Sequence, residues 1–166
     1  MKLPKASLQT IAAQHEAAHA VMRKLCLMKA TWLSVDGRGG GYCAGSGERI
    51  HADDNLLVTL AGMAWETGCR FTLIKWETAR FTFVDAGEAW RLVNDVPCLC
   101  QSINPAQEPI LQEPAAALNR WFAKAGDMLK PHRQLIRQMG NILQADGFLT
   151  ARQVAALLRK INNTSR

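Results

Sequence analysis

Apolar residues near the start of the chain recur at intervals of three and four, the spacing of one face of an α-helix. This pattern predicts a helix from about Ser7 to Cys26. The predicted inward stripe comprises Leu8, Ile11, His15, Ala18, His19, Met22 and Cys26. Two histidines are therefore expected to face the interior of the fold.

The middle of the chain alternates apolar segments with turn-forming residues. Residues 31–35 predict a short strand, and residues 53–67 predict a helix that Gly68 ends. Residues 69–84 are aromatic and have the pattern of a strand. A further helix is expected to open at Asp85 and to stop at Pro97.

The last third of the sequence predicts three helical segments. Pro114 fits the first turn of a long helix, and Pro131 is expected to kink or interrupt it. A second segment runs to a stop at Gly147, and Thr150 caps a last helix through Ile161. The inward positions of the long helix are Leu118, Phe122, Ala125 and Leu129.

Together these elements predict a mainly α fold, an array of about five to six helices with a short β ribbon or edge strand. The 166 residues suit one domain, 1–166, large enough to bury a core without disulfide support. Within it, 7–103 would form a catalytic part and 114–161 the C-terminal helices.

The predicted first helix contains a His-Glu-x-x-His pentad. His15 and His19 lie one turn apart on the same face, so both imidazoles can reach one zinc ion about 2 Å away. Glu16 falls beside the metal, where a carboxylate can take a proton from water and hand it to a leaving amine. The alternative is a pair of core histidines whose ring nitrogens form hydrogen bonds within the protein and bind no metal. We favour the metal, because two stacked imidazoles on an apolar face need a polar partner.

The residues alone leave the third zinc ligand open. His51 and His132 have the surroundings of surface residues. Glu66 ends an apolar helix and could ligate if it faced inward. Asp85 begins another helix, where its alternative role is that of an N-cap.

Several segments resemble the peptidase domain of the FtsH-type ATP-dependent zinc metalloproteases. Residues 13–21 resemble the zinc helix of that family, with Ala18 where the family usually has glycine. Residues 31–35 and 37–42 resemble its edge strand and the glycine-rich segment that follows. Residues 60–66 and the helix that begins at Asp85 are similar to further family helices. The resemblance extends from about residue 7 to residue 161.

This resemblance implies an FtsH peptidase-domain-like fold in which Asp85 rather than Glu66 completes a site for Zn²⁺. It also implies that an edge strand receives the substrate in extended form by main-chain pairing. The substrate-binding residues would then be Trp32, Leu33, Ser34 and Val35. One departure is that residues 82–84 replace the small, glycine- and serine-containing stretch that usually precedes the aspartate.

The function expected from these features is that of a zinc metalloendopeptidase. Zinc would polarise the peptide carbonyl and lower the pKa of its bound water to about 7, with Glu16 as the general base. The phosphate-binding Gly-x-x-x-x-Gly-Lys-Ser/Thr loop of an ATPase does not occur in the sequence. The enzyme is therefore expected to cleave unfolded or flexible polypeptides, or to depend on an unfoldase partner in trans. A homo-oligomer is possible, because the family's peptidase domains assemble in rings.

The uneven distribution of charged residues along the chain suggests an alternative function. Residues 119–166 carry nine basic and two acidic residues, whereas the rest of the chain is nearly balanced. This basic C-terminal face would suit a noncatalytic metal-binding interaction or regulatory module. A solvated face is favoured over a nucleic-acid site, because no aromatic interleaving accompanies the charge. The residues of this face are Arg120, Lys124, Arg133, Arg137, Arg152, Arg159 and Lys160.

Cysteine usage and hydropathy predict the location. Five cysteines without framework spacing suit a reducing compartment, and none of them is assigned chemistry. The sequence has no run of eighteen apolar residues and no signal-peptide core, so no membrane partner is expected. A cytoplasmic location is the expectation.

Overall fold

A computed structural model describes residues 8–46, 51–70, 72–101 and 112–161 of the chain. The predicted mainly α fold with a short β component is confirmed. Short 3-10 turns lie at Pro97–Cys100 and Lys130–His132. The described elements, in chain order, are α1 (Leu8–Leu25), β1 (Lys29–Val35), β2 (Gly41–Ser46), α2 (Ala52–Glu66), α3 (Trp76–Ala79), α4 (Val84–Asp95), α5 (Pro114–Leu129), α6 (Arg133–Asp146), β3 (Phe148–Leu149) and α7 (Ala151–Leu158).

Helix α1 lies at the centre of the molecule and packs against α2, α6, β1 and β2. Its buried face is rich in alanine, which allows the neighbouring elements to approach closely. The predicted inward stripe is wrong at its start, because Leu8 and Ile11 are exposed. At 18 residues α1 is the longest described helix, and none of the described helices combines the length and apolarity that crossing a membrane requires.

The sheet is antiparallel with strand order β2-β1-β3, so β1 is its central strand. Leu33 and Ser34 each pair with β2 on one side and with β3 on the other. The prediction that Trp32 to Val35 form an edge strand is therefore wrong. The physical reason is that the two-residue strand β3, far away in sequence, occupies the second side of β1.

Helix α2 is apolar around most of its circumference, as expected of a helix that packs on several sides. It contacts α1, α4 and α5. The helix ends at Glu66, and Gly68 follows with a φ of 69°, which confirms the predicted glycine stop. This position holds the C-terminal half of α2 directly across from the histidines of α1.

The prediction of a strand-like segment over 69–84 is wrong. Its described part contains the single helical turn α3 and no strand. Trp76 is fully buried, and its indole Nε1 donates a hydrogen bond to Asn119 Oδ1 at 2.9 Å. Leu73 and Phe81 are exposed. The aromatic residues therefore mark one buried anchor within an irregular segment.

The proline and glycine signals of the last third are confirmed. Pro114 is the first residue of α5, and a 3-10 turn at Pro131 separates α5 from α6. Gly147 ends α6 with a left-handed φ of 73°. Thr150 and Gln153 form a capping box at the start of α7, which ends at Leu158, three residues before the predicted end.

The cysteines form no disulfide, and two arginines of the basic C-terminal face bind backbone carbonyls of the chain. All five cysteines are free thiols, and Cys26, Cys69 and Cys100 are buried. Two arginines of the basic face donate to backbone carbonyls, Arg120 to Leu99 and Gln101 and Arg133 to Gly68. Part of that face is therefore engaged by the chain itself.

Candidate metal centre

Three ligand atoms from two helices converge beside the buried face of α1. His15 Nε2 lies 3.0 Å from Asp85 Oδ2, and His19 Nε2 lies 3.2 Å from the same oxygen. The two Nε2 atoms are 3.0 Å apart. His15 and His19 come from consecutive turns of α1, and Asp85 comes from the first turn of α4.

The opposite nitrogens of both imidazoles are held by α2. His19 Nδ1 donates to the carbonyl oxygen of Val58 at 2.7 Å, which fixes its tautomer because a carbonyl only accepts. His15 Nδ1 lies 2.7 Å from Glu66 Oε1 and donates to this carboxylate. Each histidine therefore directs Nε2 at the common point.

This arrangement fits a metal ion. Ligand atoms bound at about 2.0 Å in tetrahedral geometry lie roughly 3.3 Å apart, close to the separations seen here. His15, His19 and Asp85 form a group that could hold a metal ion. Without a cation, the lone pairs of three ligand atoms would face one another in a half-buried space and repel one another. Only a proton shared among them would reduce that repulsion.

The geometry separates the roles of the two candidate carboxylates. Asp85 faces the Nε2 side of both histidines, whereas Glu66 binds the far nitrogen of His15. Asp85 is not the N-cap of α4, because Phe83 occupies that position. His51 lies at the exposed start of α2, outside this group. The third ligand favoured by this geometry is Asp85, with Glu66 orienting His15.

The charges of the cluster are strongly coupled. Burial lowers the pKa of His15, but hydrogen bonds and charge from Asp85 and Glu66 outweigh it and raise the pKa to about 10. Burial raises the pKa of Asp85, but the hydrogen bonds and charges of His15 and His19 hold it well below its ordinary value. The metal-free cluster thus retains a proton that a metal ion must displace.

Glu16 lies beside the ligand group without belonging to it. Its side chain is 7% exposed, and no described residue forms a hydrogen bond with its carboxylate. Burial raises the pKa of Glu16, opposed by the charges of His19 and His15. A raised pKa favours the carboxylate as a group that accepts a proton and then returns it.

Two glycines that the sequence did not single out make room for these side chains. A Cβ atom at Gly41 of β2 would lie 2.6 Å from Glu16 Cγ, and one at Gly62 of α2 would overlap the His15 ring. Glycine inside a helix costs about 1 kcal/mol relative to alanine, so Gly62 needs a reason. That unfavourable placement was a signal of close approach available from the sequence.

The candidate site opens into a cleft of about 880 Å³. Gly41, Tyr42 and Cys43 of β2 line this cleft, and so do Phe83 and Val84. Val84 is 89% exposed, so an accessible apolar side chain borders the cleft. The strand that borders the cleft is therefore β2, the sheet edge, whereas Trp32, Leu33, Ser34 and Val35 do not line it.

Replacing the two carboxylates should affect metal binding unequally. Asp85→Asn removes a ligand charge and should abolish stoichiometric zinc uptake. Glu66→Gln leaves the three ligands in place and should weaken zinc binding by about 10- to 100-fold, as for other orienting partners. Competition with a chromophoric chelator measures both. Equal losses, or a larger loss for Glu66→Gln, would contradict the assignment.

Gly62→Ala should displace the His15 ring and weaken zinc binding at least about tenfold, although alanine favours helix formation. Gly126→Ala in α5 is the matched control, because its Cβ would meet nothing closer than 3.4 Å. That variant should bind zinc normally and unfold at slightly higher urea concentration. Normal zinc affinity in Gly62→Ala would show that the close approach is not required.

In comparisons with known proteins, the chain matches no protein-family model and no curated protein. The case for a function accordingly rests on the residues of the cleft and their geometry.

Proposed function

We propose that the protein is a zinc-dependent metalloendopeptidase that hydrolyses peptide bonds in unfolded or flexible polypeptides. The observation that carries this proposal is Glu16, a buried carboxylate that lines the cleft beside a three-ligand group. A metal site that served only stability would have no use for an acid/base group in this position.

In this mechanism His15, His19 and Asp85 would hold the zinc ion. Zinc, when bound, supplies Lewis acidity that polarises a carbonyl and makes water more acidic. Glu16 accepts the proton of the attacking water and then delivers it to the departing amide nitrogen. Glu66 and the Val58 carbonyl keep both imidazoles in the tautomer that leaves Nε2 free.

The substrate would lie along the edge of β2. This strand pairs only with β1 in the described sheet, and Gly41 to Cys43 border the cleft. An extended polypeptide could pair with its free main-chain groups, which gives little selectivity for side chains. An open cleft bordered by a strand suits internal cleavage of an extended chain.

Further aspects of the proposal rest on the resemblance to FtsH-type peptidase domains. On this resemblance, folded substrates would require an unfoldase, which we propose as a partner in trans. Assembly into a homo-oligomer is proposed on the same ground. A cytoplasmic location is proposed because five cysteines without disulfide spacing suit a reducing compartment. A noncatalytic interaction module with a basic C-terminal face is the alternative, and it leaves the buried carboxylate of Glu16 in the cleft unexplained.

Glu16→Gln should abolish hydrolysis of casein while preserving zinc content. Removing a general base lowers the rate by about 10²- to 10⁴-fold. The control is Glu77→Gln, because Glu77 is an exposed carboxylate on α3, away from the cleft. The rate of hydrolysis is measured from the release of fluorescent fragments from labelled casein. Undiminished cleavage by zinc-loaded Glu16→Gln would contradict the mechanism, and absence of cleavage by the zinc-loaded parent would favour the noncatalytic alternative.

A further inference from the structure

Arg23 lies on the same face of α1 as the candidate metal ligands. It follows His19 by four residues, as His19 follows His15, so the three side chains share one face of the helix. Arg23 lines the cleft that contains His15, Glu16 and His19. The site thus includes a guanidinium that the proposed hydrolysis does not use.

No carboxylate neutralises this guanidinium within the described part of the chain. None of the ion pairs found there, at N to O distances up to 4.0 Å, involves Arg23. Its Nε atom is buried and has no hydrogen-bond partner. A second cavity is lined by both Arg23 and Arg91. By contrast with Arg23, Arg91 forms ion pairs with Glu88 at 2.6 Å and with Asp95 at 2.8 Å.

Two residues of β2, Gly45 and Cys43, lie next to the side chain of Arg23. A Cβ atom at Gly45 of β2 would overlap the guanidinium, so glycine at this position leaves space for it. Cys43, two residues earlier on the same strand, is a neighbour of the guanidinium. Burial raises the pKa of Cys43 to about 12, so the thiol stays neutral and does not balance the charge.

The other charges of the cleft leave this cation available. Among the described residues, Asp85 and Glu66 are bound to His15, and Glu88 is bound to Arg91. The remaining carboxylate of the cleft, Glu16, forms no ion pair with Arg23 within 4.0 Å. A half-buried guanidinium without a counter-ion is costly, and a planar fork of donors suits a carboxylate. The missing partner is therefore expected to come from a ligand of the cleft.

We propose that Arg23 is the anion subsite of this cleft and binds a carboxylate of the substrate polypeptide. Four residues of helix place its Cα about 6 Å along α1 from that of His19, and an extended chain advances about 3.3 Å per residue. The bound carboxylate would thus lie one or two residues from the hydrolysed bond. The identity of the ligand rests on the proposed peptidase function, but the binding itself requires no hydrolysis.

Two sources of the carboxylate are distinguished by peptide binding to zinc-loaded Glu16→Gln, which is not expected to cleave. Fluorescence anisotropy would compare a neutral labelled peptide with a free C-terminus, its C-terminal amide, and amides in which glutamate replaces glutamine at successive positions. We expect the free acid or one glutamate peptide to bind about 10- to 100-fold more tightly than the neutral amide. Equal affinities for all peptides would overturn the proposal.

The preference should disappear when Arg23→Gln is added, and Arg23→Lys should restore part of it. Arg91→Gln is the matched control and should keep the full preference, because Arg91 is already paired with Glu88 and Asp95. A preference that persists in Arg23→Gln would overturn the proposal. Should Arg23→Gln fail to fold or to bind zinc, Arg23→Lys decides the matter: a reduced preference supports the assignment and an unchanged one refutes it.

Casein hydrolysis separates this result from the peptidase proposal. A preference that depends on Arg23 in a protein whose parent form cleaves nothing would support the subsite and reject the peptidase. Cleavage by the parent form together with a preference independent of Arg23 would reject the subsite alone.

Discussion

The structure depends on one constraint, the convergence of two imidazole nitrogens and one carboxylate oxygen within 3.0 to 3.2 Å of one another. This geometry requires α1, α2 and α4 to meet at one place. Gly62 allows α2 to approach the His15 ring, and the carbonyl of Val58 fixes the His19 tautomer from the same helix. The core around α1 therefore supports the three candidate ligands and fixes their relative positions.

Three carboxylates near this point have distinct environments and hence distinct chemistry. Asp85 faces two imidazoles and is held ionised. Glu66 binds the outer nitrogen of His15 and orients it. Glu16 has no hydrogen-bond partner among the described residues, and burial raises its pKa. Hydrogen bonding and burial thus distinguish these three carboxylates, which we propose to act as a ligand, an orienting group and a proton carrier.

Local signals in the sequence predicted what local forces determine. The spacing of His15 and His19 predicted that both lie on one face of α1. The positions of proline and glycine predicted most of the helix ends. The central position of β1 could not be read, because its second partner, β3, is a strand of two residues far along the chain. The family resemblance favoured Asp85 over Glu66, but the residues alone did not decide between them. Both lie at helix ends, and only the tertiary structure shows that Asp85 faces Nε2 of His15 and Glu66 faces Nδ1.

The most direct test of the account is X-ray absorption spectroscopy at the zinc edge on the reconstituted full chain. The account predicts two imidazole nitrogens and one carboxylate oxygen at about 2.0 to 2.2 Å, with a water-derived oxygen in the fourth position. Asp85→Asn should remove this spectrum, whereas Glu66→Gln should preserve its ligand set. A shell with a single imidazole, or one that loses a ligand only when Glu66 is replaced, would contradict the account.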